Sequence, residues 1–308
     1  MIRVEAGYTS PSNAMQVKSI LCPIDCSEFS AAAYQYALSL AEYYNARLVC
    51  LNVVEMWKYP FADYAAYESD YAKFSQAINE GGQERLQEFV KRYASNHVRP
   101  ELAVREGNAS DNILSFAQAE NLEVIVMGTH GRRGFDRLVL GSTTDKVIRK
   151  AACPVLVVSN SSHKLMATAP DGRHRVGRIL YCTDFSNNSE LARGYAISLA
   201  AEYGAELTLL HVSEENVPDL ARMEALLAER TEQLNEVISR DERKNLNVKA
   251  IVKSGKPYQE IVQHAHEAQI TLIIMTARGG DSLDRAVFGS TTYRVIQLGP
   301  CPVLAVHT

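Results

Sequence analysis

The chain repeats itself, and the repeat constrains the fold before any single residue does. GTHGRRGFDRLVLGSTT runs from Gly128 to Thr144, and TARGGDSLDRAVFGSTT runs from Thr276 to Thr292. In each copy a glycine (Gly131 or Gly279), nine intervening residues and Gly-Ser-Thr-Thr follow an apolar run ending in Met127 or Met275. A short helical stretch and Cys-Pro-Val-Leu, beginning at Cys153 or Cys301, come next. Self-similarity on this scale is a duplicated domain, so a site built on the segment has two versions. The length of 308 residues agrees with two domains of roughly 150 residues each.

Aligned from their first strands, the halves stay in register. KSILCPIDCS (Lys18 to Ser27) meets GRILYCTDFS (Gly177 to Ser186), which sets Asp25 on Asp184 and Ser27 on Ser186. Ala33, Tyr36, Ala37, Leu40, Ala41 and Tyr44 return as Ala192, Tyr195, Ala196, Leu199, Ala200 and Tyr203. Those spacings of three and four make one apolar face of a helix. RLVCLNVVE (Arg47 to Glu55) matches ELTLLHVSE (Glu206 to Glu214), and LEVIVMG (Leu122 to Gly128) matches ITLIIMT (Ile270 to Thr276). The order is β-α-β-α-β-α-β-α-β, twice. Near-continuous apolar strands alternating with helices belong to a parallel sheet covered on both faces. The expected fold is therefore two tandem doubly wound α/β sandwiches. Residues 1–14 read as an N-terminal extension or tag, 15–159 as the first domain, 160–176 as a polar linker and 177–308 as the second domain.

Composition removes several classes of function. A hydrophobic share of 46% with 22% charged residues is that of a soluble globular chain. A formal net charge of −4 lacks the footprint of a nucleic-acid binder. No apolar run reaches the roughly 20 residues of a membrane span, and the N-terminus has no secretory h-region. The six cysteines show no zinc-site spacing and read as reduced thiols of a cytoplasmic protein.

In a doubly wound sheet, ligands bind beyond the carboxyl ends of the strands. There the first copy should bring together Asp25, Val53 and the run Met127-Gly128-Thr129-His130-Gly131. Without Cβ, Gly128 and Gly131 are free to take positive φ and to admit a ligand close to the backbone. Gly141-Ser142-Thr143-Thr144 opens the next helix, where free N–H groups and hydroxyls suit an anion. Arg132, Arg133 and Arg137 add positive charge to the intervening loop. The plainer alternative is that Ser142 caps the helix and the glycines merely turn the chain.

These residues resemble the universal stress protein family in its tandem form. The family's ATP pattern is Gly, two residues, Gly, nine residues, Gly, then Ser or Thr; Gly128, Gly131, Gly141 and Ser142 match it. The resemblance implies an adenine-nucleotide alpha-hydrolase-like sandwich whose ligand is ATP, with Mg²⁺ as an admissible companion. It implies a pocket of Pro23, Ile24, Asp25, Val53, Met127, Gly128, His130, Gly131, Arg132, Gly141, Ser142, Thr143 and Thr144. The second copy keeps Asp184, Val212, Gly279, Gly289, Ser290, Thr291 and Thr292. It has Thr276 in place of Gly128, Arg278 in place of His130 and Gly280 in place of Arg132. A Cβ at Thr276 is expected to obstruct the nucleotide or to forbid the required backbone, leaving the stronger site in the first domain. The resemblance also implies that Val155 to Val158 pairs antiparallel with Val303 to Val306 as an intramolecular pseudo-dimer open to further dimerisation.

No GxxxxGK[ST], GxSxG or HExxH is present. His264 and His266 share a predicted helix without a third ligand. The expectation is a nucleotide-dependent stress-response regulator with unnamed protein partners and at most slow ATP hydrolysis. A scaffold that binds no nucleotide is the alternative. The Tyr-rich insertion (Tyr64, Tyr67, Tyr71) reads as a packed helix face or a partner surface.

Overall fold

The computed structural model describes residues 17–55, 68–95, 97–129, 140–159, 176–215, 219–277 and 289–307. The first half runs β1 (Ser19–Pro23), α1 (Glu28–Tyr44), β2 (Arg47–Val54), α2 (Glu68–Arg92), β3 (Glu101–Glu106), α3 (Ala109–Ala119), β4 (Val124–Gly128), α4 (Ser142–Lys150) and β5 (Val155–Val158). The second runs β6 (Arg178–Cys182), α5 (Ser189–Tyr203), β7 (Glu206–Ser213), α6 (Leu220–Glu236), α7 (Arg240–Arg243), β8 (Asn247–Ser254), α8 (Pro257–Glu267), β9 (Leu272–Thr276), α9 (Ser290–Leu298) and β10 (Val303–Val306). Among the described residues only α7 breaks the expected order. Ser239 and Glu242 form a capping box at its start, satisfying two otherwise orphaned amides, and so nucleate a separate turn after α6.

The strands form one ten-stranded sheet in the order β3-β2-β1-β4-β5-β10-β9-β6-β7-β8. Pairing is parallel within each half, and the halves meet antiparallel at β5 and β10, with Leu156 opposite Leu304. Both are fully buried strands; unpaired, either would leave an apolar edge open to other chains.

Helices cover both faces. Ala33, Tyr34 and Ala37 of α1 share one core with Leu86 and Phe89 of α2 and with Ala192, Ala196 and Leu234 of the second half. Ile113 of α3, Val147 and Ile148 of α4, Ile261 of α8 and Val295 of α9 fill the other. Each core thus runs across the β5–β10 seam. The seam is also bridged outside the sheet: Tyr43 stacks on Tyr203 at 4.4 Å, and the Tyr44 hydroxyl donates to the Glu202 carboxylate at 2.8 Å. A ring nitrogen of His307 bonds to the Ile148 carbonyl.

All six cysteines are free thiols, and Cys22, Cys50, Cys182 and Cys301 are buried. Among the described residues no helix is long and apolar enough to cross a membrane. The insertion tyrosines Tyr64 and Tyr67 and the side chain of Tyr71 lie outside the described residues.

Candidate functional site

Four strand ends and two helix starts converge in each half. In the first, β1 ends at Pro23, and the Ile24 amide still donates to Leu51 at 2.8 Å. The chain then turns sharply: Cys26 stands in the left-handed region at φ 62°, a conformation costly for a residue with a Cβ and held by its surroundings. Asp25 helps to hold it, accepting from the Ser27 amide at 3.0 Å. Ser27 in turn caps α1, accepting from the Ser30 amide at 3.2 Å. Asn52 was not singled out in the sequence, yet its buried side chain donates to the Ile24 carbonyl at 2.6 Å. An Asn inside the apolar run RLVCLNVVE is the signal that marks it. Val53 is half-buried beside it on β2.

The β4 end is built as a latch. Thr129 donates to Val158 at 3.1 Å, and the Gly141 amide returns to the Thr129 carbonyl at 2.8 Å. The two ends of the loop that carries His130, Gly131, Arg132, Arg133 and Arg137 are therefore tied together; those five residues lie outside the described ones. The Thr144 hydroxyl donates to the Gly128 carbonyl at 2.8 Å and is buried, so it anchors α4 to β4 and has no proton left for a ligand.

The start of α4 settles one alternative. Its N-cap is Gly141, not Ser142, and no side chain caps it. Ser142 is exposed and Thr143 half-buried. Among the described residues none accepts from the first-turn amides of Ser142 and Thr143, whereas α1, α3, α6 and α7 each have a side-chain cap. The acidic Asp145 in this turn is paired with Arg149, whose Nε donates to both carboxylate oxygens at 3.0 Å. That pairing offsets its repulsion of an anion.

The second half reproduces the plan with other side chains. His211 replaces Asn52, its Nδ1 2.9 Å from the Thr183 carbonyl. Because a carbonyl only accepts, Nδ1 carries the proton. Burial, with Arg230 adding to it against the Thr183 contact, holds the ring below the ordinary imidazole range, and Phe185 packs on it at 4.2 Å. Asp184 is exposed and accepts from both the amide and the hydroxyl of Ser186. Val212 is half-buried, as Val53 is. Gly289 donates to Ala277 at 3.1 Å, α9 has no side-chain cap, Ser290 is exposed, Thr291 is half-buried, and the Thr292 hydroxyl donates to Thr276 at 2.8 Å. Arg278, Gly279 and Gly280 lie outside the described residues.

One expectation about the motif's first position is corrected: Gly128 does not take positive φ, whereas among the described glycines Gly107, Gly204 and Gly255 do. Thr276 sits in β9 in regular register with Val306. What a Cβ at position 128 would meet is the backbone of α1, with the Phe29 carbonyl oxygen at 2.8 Å.

The molecule is thus a tandem doubly wound α/β protein carrying the same strand–loop–helix junction twice. The model of the universal stress protein family matches residues 16–159 and 175–307. The chain belongs to that family. It is 35% identical over 141 residues to a universal stress protein of Methanocaldococcus jannaschii, spanning 46% of this chain and 81% of that one. A protein of the same description from Mycolicibacterium smegmatis is 26% identical over 302 residues, 94% of this chain and 96% of that one. In fold it is similar to the crystal structure of a universal stress protein from Archaeoglobus fulgidus, with a TM-score of 0.62 and 23% identity over 95% of this chain and 97% of that one.

Proposed function

We propose that the first domain, residues 15–159, binds ATP and that the chain acts as a nucleotide-dependent regulator of a cytoplasmic stress response. The observation that carries this reading is the uncapped start of α4. A helix start normally finds partners for its first amides, and here, with a glycine N-cap, those of Ser142 and Thr143 find none among the described residues. Aligned amides and the positive end of the helix dipole favour a phosphate group.

In this reading Gly131, Gly141, Ser142 and Thr143 receive the phosphates, with His130 and Arg132 at the loop. Pro23, Ile24, Asp25, Val53 and Met127 border the base and ribose. Gly128 and Thr144 shape the site from beneath. Mg²⁺, when present, would be held chiefly by the phosphates. The reading is nucleotide binding with at most slow hydrolysis, and the ordered loop is what a partner protein would read. The second site, with Asp184, Val212, Gly279, Gly289, Ser290, Thr291 and Thr292, is weaker.

Ser142→Pro tests the reading. Ser142 is the first helical residue, where proline fits the helix while removing one amide. Losing one charge-assisted bond should weaken ATP binding about 10- to 100-fold with helix content and melting temperature unchanged. Unaltered affinity would refute phosphate binding at α4.

A further inference from the structure

Position 128 in the first half and position 276 in the second differ as glycine and threonine, and what faces position 128 is the opening of α1. A Cβ built on Gly128 would lie 2.8 Å from the Phe29 carbonyl oxygen, 3.0 Å from its carbon and 3.1 Å from its Cβ. Backbone cannot swing aside as a side chain can, so the first turn of α1 sits where it does because position 128 has no side chain. That turn is a regular helical one: Ser27 is the N-cap, and the Ala31 amide donates to the Ser27 carbonyl at 3.0 Å.

In the second half the residue aligned with Gly128 is Thr276, which is buried, and α5 packs on its strand, β9. The turn that opens α5 is wound differently. Ser189 donates to Ser186 at 3.0 Å and Glu190 to Asn187 at 3.2 Å, both three residues back. The helix proper starts at Ser189, with Asn188 as an N-cap that makes no side-chain bond. The Ser189 hydroxyl donates to the Ser186 carbonyl at 2.6 Å, as the Ser30 hydroxyl does to Ser27 at 2.9 Å in the first half; the second half adds the contact of Thr183 with the Ser189 hydroxyl at 3.0 Å and the bond from the Tyr181 hydroxyl to the Ser189 carbonyl at 2.8 Å. The aspartates follow the turns. Asp25 is half-buried and takes the Ser27 amide, whereas Asp184 is exposed and takes both Ser186 donors.

Resting on the ATP reading above, we propose that the first motif glycine, Gly128, is a positioning residue that acts through α1. It lets the first turn seat against β4, and that turn holds the Asp25 carboxylate at the site, where it accepts from an adenine amino group or a ribose hydroxyl. Thr276 prevents this seating in the second half, which makes position 128/276 the determinant of which half binds the nucleoside firmly.

Hydrogen exchange on the full chain without nucleotide, paired with ATP titration, tests this. Gly128→Ala should speed exchange of the Ala31 and Ala32 amides at least tenfold, leave the α4 amides of Val147 and Ile148 unchanged, and weaken ATP binding. Ser142→Pro should weaken ATP binding with α1 exchange unaltered. If Gly128→Ala weakens ATP binding while α1 exchange stays as in the wild type, the glycine acts on the nucleotide directly and the proposal fails, though the ATP reading survives. If wild-type protein binds no ATP yet Gly128→Ala loosens α1, the seating stands and the ATP reading falls. Should Gly128→Ala not fold, Thr276→Gly provides the reverse test: the Glu190 amide should become better protected, and unchanged exchange there would overturn the proposal.

Discussion

The two halves solve one packing problem in opposite ways. Each half fully buries one tyrosine of its first strand or first helix. In the first half the helix supplies it: Tyr34 is fully buried against Phe89, in the same core as Cys22 and Cys50. Among the described residues its hydroxyl has no hydrogen-bond partner, and burial holds its pKa well above the ordinary phenol range. In the second half the strand supplies the ring: Tyr181 occupies the position of Cys22 and bonds to α5. Arg193, in the position of Tyr34, pairs with Glu190 and Glu242 instead. The first half accepts an unsatisfied hydroxyl and keeps a helix start seated on β4. The second satisfies its hydroxyl by tying down a helix start that Thr276 keeps from seating. Repeated sequence therefore conserves the scaffold while the contacts that set the site diverge.

The features the halves share should respond alike, and with the largest effect. Thr144→Val and Thr292→Val each remove the donor to a buried strand carbonyl. Each should cost about 1–3 kcal/mol in denaturant unfolding, with the two values within experimental error of one another. A loss in one half alone would show that the latch is not a common element.

Next in size are the tyrosines, where the halves should differ in sign. Tyr181→Phe removes a buried hydrogen bond to the Ser189 carbonyl and should destabilise by about 1–2 kcal/mol. Tyr34→Phe removes a desolvated hydroxyl that has no partner among the described residues, and should be neutral or stabilising by up to about 1 kcal/mol. Equal destabilisation by both would mean that the Tyr34 hydroxyl is bonded after all.

Much of this was legible in the sequence. The duplication, the strand and helix order, the seam between β5 and β10, and the place of the Gly-Ser-Thr-Thr helix start all follow from repeated apolar periods and from the family resemblance. What was not legible depends on contacts between distant segments. Nothing local says that Thr144 spends its proton on Gly128, or that Gly141 returns to Thr129. Nothing in DCS or DFS announces a left-handed Cys26 or Phe185, because neither residue type favours that region. Gly128 misled for the same reason: a glycine ending a strand reads as a turn or a ligand approach, and only the position of Phe29 shows that a helix needs the space.

The smallest expected effect is a pH dependence confined to the second half. His211 is held neutral by burial, so its folded pKa lies below the unfolded value of about 6.5. The unfolded chain then binds the proton first. Stability should fall as pH drops through that value and level off below the lower folded one, by no more than about 1.4 kcal/mol per pH unit for one such ring. His264, also lowered by burial, adds to it with the same sign. His211→Asn copies Asn52 and should flatten the curve between pH 7 and 5. An unchanged curve would place the dependence elsewhere.

The central claim is that one half has kept a nucleotide site and the other has drifted from it. Calorimetric titration of nucleotide-stripped wild-type chain with ATP and Mg²⁺ reads this directly. One tight site per chain is the predicted stoichiometry. Two equal sites, or none, would contradict the account.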